Sequence, residues 1–260
     1  MAEKAKTPPP PKKAPIKDGP SRRNVWVILG IATAVAVIAA GVLIYVSQQS
    51  STPSNGGGGA SAADVAAGKL KGVKEVNARF AGIPQNGNTL GDPAATVTIT
   101  EYADLRCPAC QKFALDFMPT VVTDVIKPGK AKYQYRIWPI LGTDSVNAAE
   151  CGIAAQQQNK LFEYQDLWYI NQQDENTEYA TPTYCDGVAK ALGLNLAQFE
   201  KDRQDEAIWS PEIQDVQVVA AQQGFGGTPS FIIKGPKGEK VLSGSIPTAS
   251  TIAKTVKAVS

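Results

Sequence analysis

The sequence predicts an α/β domain with a mixed sheet, preceded by one N-terminal membrane-spanning helix. Three observations carry this expectation. A strand–helix–strand pattern runs from Thr96 to Trp138, which permits a parallel strand pair. Two short strand-like runs flank Gly235-Pro-Lys-Gly238, a hairpin signal that adds an antiparallel part. Near the N-terminus, Val25 to Val46 holds 22 positions without a charge.

Residues 1–24 read as a basic, proline-rich cytoplasmic tail. Seven Lys and Arg face only Glu3 and Asp18, and Pro8–Pro11 cannot enter a helix. The solvated-tail reading is favoured over a proline-rich ligand for a partner domain. The run 25–46 exceeds the roughly 20 residues a helix needs to cross a bilayer. Trp26 and Tyr45 stand near its ends, where amphipathic aromatics favour the interface. It is longer than the apolar part of a cleaved signal peptide, so it reads as an uncleaved signal anchor. The basic cluster before it places the N-terminus in the cytoplasm and the remainder outside. Residues 47–75 begin with SQQSSTPSNGGGG and read as a flexible linker, leaving 76–260 as the working domain.

Within that domain Thr96–Tyr102 alternates β-branched residues and reads as a strand. A helix follows from Lys112 to Ile126, with a break expected at Pro119 and a stop at Pro128-Gly129. Ala131–Trp138 alternates again as a second strand. Residues of about 144–210 are mostly helical in pattern, with Asn195 as an N-cap. Glu212–Gln223 reads as a further helix ended by Gly224, and residues 248–258 as the last one.

Composition narrows the chemistry. The 260 residues carry a net charge of +2, so no basic field points to nucleic acid. There is no histidine. That excludes Ser-His-Asp and Cys-His pairs and any His-ligated metal. Carboxylates, Lys, Tyr, Ser/Thr and four cysteines remain.

Cys107-Pro-Ala-Cys110 follows a strand and opens a helix, the placement of a redox C-x-x-C. A helix N-terminus stabilises a thiolate on the first cysteine, and the second can close a small ring and release a bound substrate. A zinc site needs about four ligands, and no second C-x-x-C or histidine supplies them, so no metal and no cofactor is expected. Cys151 and Cys185 both fall in the helical block. In an oxidising compartment the plain reading is a structural disulfide, with two buried free thiols as the alternative. Gly224-Phe-Gly-Gly227 precedes a strand rather than opening a helix, which argues against a nucleotide loop.

From the strand leading into Cys107-Pro-Ala-Cys110, through Ala148-Ala-Glu-Cys-Gly-Ile-Ala-Ala155 and Phe162-Glu-Tyr-Gln-Asp166, to Gly227-Thr-Pro-Ser230 and the terminal hairpin and helix, the chain resembles the DsbA-type thiol–disulfide oxidoreductases in their membrane-anchored bacterial form. The resemblance spans about 76–260 and implies a thioredoxin fold with a helical insertion. It implies a cis peptide at Thr228-Pro229, which with Pro108 and Ala109 borders the substrate groove. It also implies that Glu101 is a buried acid relaying the proton of Cys110. Asp104 and Arg106 are expected to be solvated loop residues. The implied partners are cysteine-containing exported proteins and a membrane quinone-linked thiol oxidase, with the bilayer engaged through 25–46. One departure stands out. Strongly oxidising members of the family carry His between the cysteines, where this chain has Ala109. That leaves a reductase or isomerase of extracytoplasmic thiols open beside the oxidase, with a non-catalytic peptide-binding module as a third reading.

Overall fold

A computed structural model describes residues 60–260. The expected tail at 1–24, the span at 25–46 and the first part of the linker lie outside these residues. Among the described residues, no helix is long and apolar enough to cross a membrane.

The linker expectation fails at its C-terminal end. Two helices, α1 (Ala62–Ala66) and α2 (Val73–Phe80), precede or straddle the boundary placed at 76. Ser61 caps α1 by accepting from the Asp64 N–H. Val65 is buried against Gly187, where a Cβ would come within 2.2 Å of the Val65 carbonyl oxygen. A run of alanines carries no strong periodicity, so this helix is set by the surface it packs on.

Six strands form one sheet in the order β1-β2-β4-β3-β5-β6. The short pair β1 (Gln85–Asn86) and β2 (Thr89–Leu90) forms an edge hairpin that the strand pattern did not announce. The central strands are β3 (Thr98–Ala103) and β4 (Lys132–Ile137), and they run parallel in the register Glu101↔Tyr135. Antiparallel β5 (Ser230–Gly235) lies on the other side of β3, and β6 (Gly238–Leu242) completes the hairpin. β3 is buried along almost its whole length, as a central strand with covered faces must be.

The helix after β3 is broken near Pro119, two positions before the proline itself. α3 (Pro108–Asp116) ends at Phe117, α4 (Met118–Val121) takes Pro119 into its first turn, and a π-helical turn (Val122–Ile126) closes the segment. Proline is tolerated there because its missing N–H is one of the groups a helix start leaves unpaired.

The helical block comprises α5 (Thr143–Gln157), α6 (Leu161–Ile170), α7 (Pro182–Ala191) and α8 (Leu196–Gln204). Its expected end at 210 falls inside α9 (Glu206–Gln223), which runs continuously back to the sheet. The sequence pattern places the start of this helix at Glu212. Instead Asp205 caps the helix, and Pro211 lies inside it. The last helix, α10 (Ala249–Val259), packs on β5. The core is continuous, with Tyr133, Tyr135, Phe113, Phe162, Trp168 and Phe231 among its fully buried side chains.

Candidate active site

Cys107 is the N-cap of α3, with extended backbone, and its carbonyl accepts the first helical N–H, that of Gln111, at 3.0 Å. Pro108 fills the first helical position. The thiol therefore faces the unpaired N–H groups and positive end of the helix. Both Cys107 and Cys110 are free thiols in this structure. Cys107 keeps a small opening to solvent at 7% exposure, while Cys110, one turn in, has none.

Their chemistry diverges accordingly. The Cys107 thiol is held down to about 6, chiefly by its hydrogen bond with Cys110, helped by Thr228 and by the Ala109 and Cys110 backbone against the opposing effect of burial. Cys110 is pushed well above the ordinary thiol value by burial first, then by Cys107 and the charge of Glu101. At neutral pH one proton stays on Cys110 and Cys107 is mostly thiolate.

Thr228 and Pro229 lie across from this helix start and are joined by a cis peptide bond. The Cys107 sulfur lies 3.5 Å from the Thr228 carbonyl oxygen, to which it donates when protonated, while the Thr228 side chain favours the thiolate. Thr228, Pro229, Gly226 and Gly227 line a groove of about 320 Å³ with Ala109 and the Gly244–Ile246 turn. Pro108, expected at the groove, is exposed and is not among the residues that line it.

Glu101 is on β3, buried at 3% exposure. Its carboxylate accepts a 2.5 Å hydrogen bond from the Tyr133 hydroxyl on β4. Burial raises it to about 8, with the charges of Asp166 and Cys107 adding to the shift and the Tyr133 bond opposing it. Glu101 is thus mostly protonated at pH 7 and lies within electrostatic reach of both cysteines.

Asp104 and Arg106 correct the expectation of solvated loop residues, because both are buried. Asp104 gathers the loop. Its carboxylate accepts from the Arg106 N–H at 2.8 Å, the Ser145 hydroxyl at 2.9 Å and the Ile140 N–H at 2.8 Å. Arg106 pairs with Asp144 of α5 at 2.8 Å and donates to the carbonyls of Glu175 and Thr177, each at 2.6 Å. Its guanidinium also stacks over Tyr179. These two residues tie the loop before Cys107 to the helical block. Sequence reasoning missed them because a charged pair in a loop is ordinarily exposed. The only local signal was an Asp two residues before an N–H it can accept.

Cys151 of α5 and Cys185 of α7 are joined by a disulfide, with Cα atoms 5.8 Å apart. It lies in the helical block. Among the described residues, no group of three or more Cys, Asp or Glu could hold a metal ion.

A family model described as Thioredoxin matches residues 85–246, more than half of the chain. A probable disulfide bond formation protein D from Bacillus cereus is 27% identical over 151 residues, covering 56% of this chain and 69% of that protein. Among solved structures, oxidised BdbD from Bacillus subtilis superposes with a TM-score of 0.59 at 20% identity, over 68% of this chain and 96% of that one. A thioredoxin-like oxidoreductase from Silicibacter pomeroyi gives 0.55 at 26% identity, over 70% and 95%. With two thiols of opposed acidity at the start of the helix after β3 and these relatives, the chain belongs to the thioredoxin family, as a DsbA-like protein disulfide oxidoreductase.

Proposed function

We propose that this enzyme works outside the cytoplasmic membrane and donates its Cys107–Cys110 disulfide to exported proteins. The observation that carries the direction is the acidity of Cys107. A thiol held near 6 stabilises the reduced dithiol, so the disulfide is the form that tends to react.

In this reading a substrate thiolate attacks the Cys107 sulfur. The Cys107–Cys110 bond breaks, and Cys110 leaves with the electron pair and takes a proton. Glu101, protonated at neutral pH and coupled to Cys110, is the donor. The substrate's second thiolate then attacks its own sulfur in the mixed disulfide, forming the substrate disulfide and releasing Cys107 as a thiolate. Thr228 and Pro229 present their backbone to the extended substrate along the groove, between Ala109 and the Gly244 turn. The Cys151–Cys185 bridge is structural. Reoxidation falls to a membrane quinone-linked thiol oxidase, and residues 25–46 anchor the chain beside it, followed by a linker that ends near residue 60.

Ala109 favours a second reading, since it supplies no cation to the thiolate and makes the dithiol a milder oxidant than a His-bearing relative. Equilibration of the purified protein with glutathione separates the two. An oxidase gives a potential well above the thioredoxin value of about −270 mV, toward about −120 mV. A value at or below that of thioredoxin overturns the donor role and makes the protein a reductase.

A further inference from the structure

The described domain is electrically two-ended along β3. That strand runs from Thr98 to Ala103 and delivers the chain to Cys107. Its start marks the remote end, because Thr98 pairs with Lys132 on one side and Lys234 on the other. The C-terminal turn of α10 arrives at the same end, where the Val259 carbonyl accepts from the Lys237 N–H at 2.9 Å. The segment closing the π-helical turn arrives there too, since Lys132 donates its backbone N–H to Val97.

Six exposed lysines cluster around this end: Lys127, Lys130, Lys234, Lys237, Lys254 and Lys257. Asp92, Asp124 and Glu239 are the exposed side-chain carboxylates near them, and exposed Ser260 lines the same groove as Lys130, Lys254 and Lys257. Among the described residues, none of the six lysines is in an ion pair. Three of them, Lys130, Lys254 and Lys257, rim a groove of about 480 Å³ between the π-helical turn and α10, whose floor includes Val125, Ala253 and Val256.

The Cys107 end has the opposite sign. Asp174, Glu175 and Glu178 are exposed on the loop that Arg106 holds through the Glu175 and Thr177 carbonyls. A strand of this length places the two ends roughly 20 Å apart, about two and a half times the screening length at physiological salt. Each end therefore interacts with a charged surface largely on its own.

We propose that the lysine-rich end is a reversible docking face for anionic phospholipid bilayers, which while docked turns the Cys107 groove and its acidic rim toward substrate and on release leaves the groove free to meet the membrane oxidase. Lysine clusters are drawn to an anionic leaflet, and the carboxylates of the opposite rim are repelled by it. The apolar floor between lysines suits a headgroup layer, where ammonium groups meet phosphates and methyl groups meet glycerol and upper acyl carbons. The proposal draws its setting from the membrane-anchored reading above, but the face makes a separate, testable contribution.

The test uses the full chain, in lipid nanodiscs of phosphatidylcholine alone or with phosphatidylglycerol. Lysine acylation by a water-soluble reagent is then quantified residue by residue. Recovery with phosphatidylcholine discs reports the anchor. Protection of Lys254 and Lys257 reports the face. The expected result is a fall in their labelling of about fivefold on phosphatidylglycerol, reversed by high salt, with Lys112 beside the active site unchanged. A K130E/K254E/K257E variant should abolish the salt-reversible protection of Lys234 and Lys237 while still oxidising a dithiol peptide at the parent rate. Equal labelling of Lys254 and Lys257 in both lipids overturns the proposal even where the anchor holds. If no protein is recovered with phosphatidylcholine discs, the anchor reading fails. The face then stands only if phosphatidylglycerol discs capture the parent chain and not the variant.

Discussion

The Tyr133 hydroxyl donates a 2.5 Å hydrogen bond to the Glu101 carboxylate, across the parallel pair β3 and β4 in the buried layer of the sheet. A carboxyl group with one such donor and no cation is left expensive to ionise. Its raised value near 8 follows from burial, which the tyrosine only partly offsets. The sign of the stability effect is set by that shift. A group raised in the folded state contributes fully below its unfolded value of 4.5, and the contribution is lost as pH rises through about 8. Glu101→Gln should therefore stabilise the protein on the order of 2–4 kcal/mol at pH 8 and leave it nearly unchanged at pH 4. Thermal melts at the two pH values check this, and equal effects at both would show that folding does not raise the Glu101 value. The same variant should slow disulfide exchange at pH 7 by about 10²-fold if Glu101 supplies the proton.

The acidity of Cys107 is open to direct titration. The rate of alkylation of the reduced protein should rise with a midpoint near pH 6. The hydrogen bond with Cys110 is the largest cause of that value, so Cys110→Ala should move the midpoint upward. The reduced protein should also gain stability relative to its unfolded chain as pH rises from about 6 toward 9, the reverse of the Glu101 effect. A midpoint that stays put in Cys110→Ala would assign the shift to the helix terminus and Thr228 instead.

The unequal burial of the two thiols assigns their roles. Cys110→Ala should capture thiol-bearing peptides as persistent mixed disulfides on Cys107, because the intramolecular escape is gone. Cys107→Ala should capture none and lose activity, since the remaining thiol is closed to solvent and strongly protonated. Mass spectrometry of the trapped adducts reads both results, and capture by Cys107→Ala alone would reverse the assignment.

The disulfide between Cys151 and Cys185 spans a sequence separation of 34. In the chain-entropy picture, closing a loop of that length restricts the unfolded chain by about 3–4 kcal/mol. The double replacement by Ala should lower the melting temperature by several degrees and leave the rate at Cys107 within about twofold. A large change in that rate would mean the bridge also acts on the redox pair.

The parts legible in the sequence are those written in local pattern. Alternation at 96–102 and 131–138 marks β3 and β4 to within two residues, and Gly235–Gly238 marks the hairpin. The placement of Cys107 at a helix start was legible from the C-x-x-C after a strand, and Pro108 takes the first helical position. What was not legible depends on partners far along the chain. Ala62–Ala66 is a helix because Val65 has Gly187 to pack on, and Glu206–Gln223 starts at the Asp205 cap and runs on through Pro211, a proline that by local pattern reads as a break. Asp104 and Arg106 are buried because Ser145, Asp144 and the carbonyls of 175 and 177 wait for them, 38 to 71 residues away for Arg106's own partners.

Arg106 supplies the last prediction. Its guanidinium is buried between the Asp144 carboxylate, two backbone carbonyls and the Tyr179 ring. A planar fork can meet acceptors in three directions, and an ammonium on a flexible stem cannot hold the same set. Arg106→Lys should therefore behave as a loss, not as a conservative change. Arg106→Met removes the charge but strands Asp144, whose carboxylate then keeps only the Tyr179 and Ala180 N–H groups. Breaking a buried pair in this way costs about 3–5 kcal/mol. Adding Asp144→Asn to Arg106→Met should recover part of that loss, because the stranded charge is gone while an acceptor remains for the two N–H groups. The loop from 171 to 181 should exchange its amide hydrogens faster in both variants, since Arg106 is its tie to the strand leading to Cys107. Denaturant unfolding of the two single variants and the double variant measures the coupling, and strict additivity would show that Arg106 and Asp144 stabilise the loop separately.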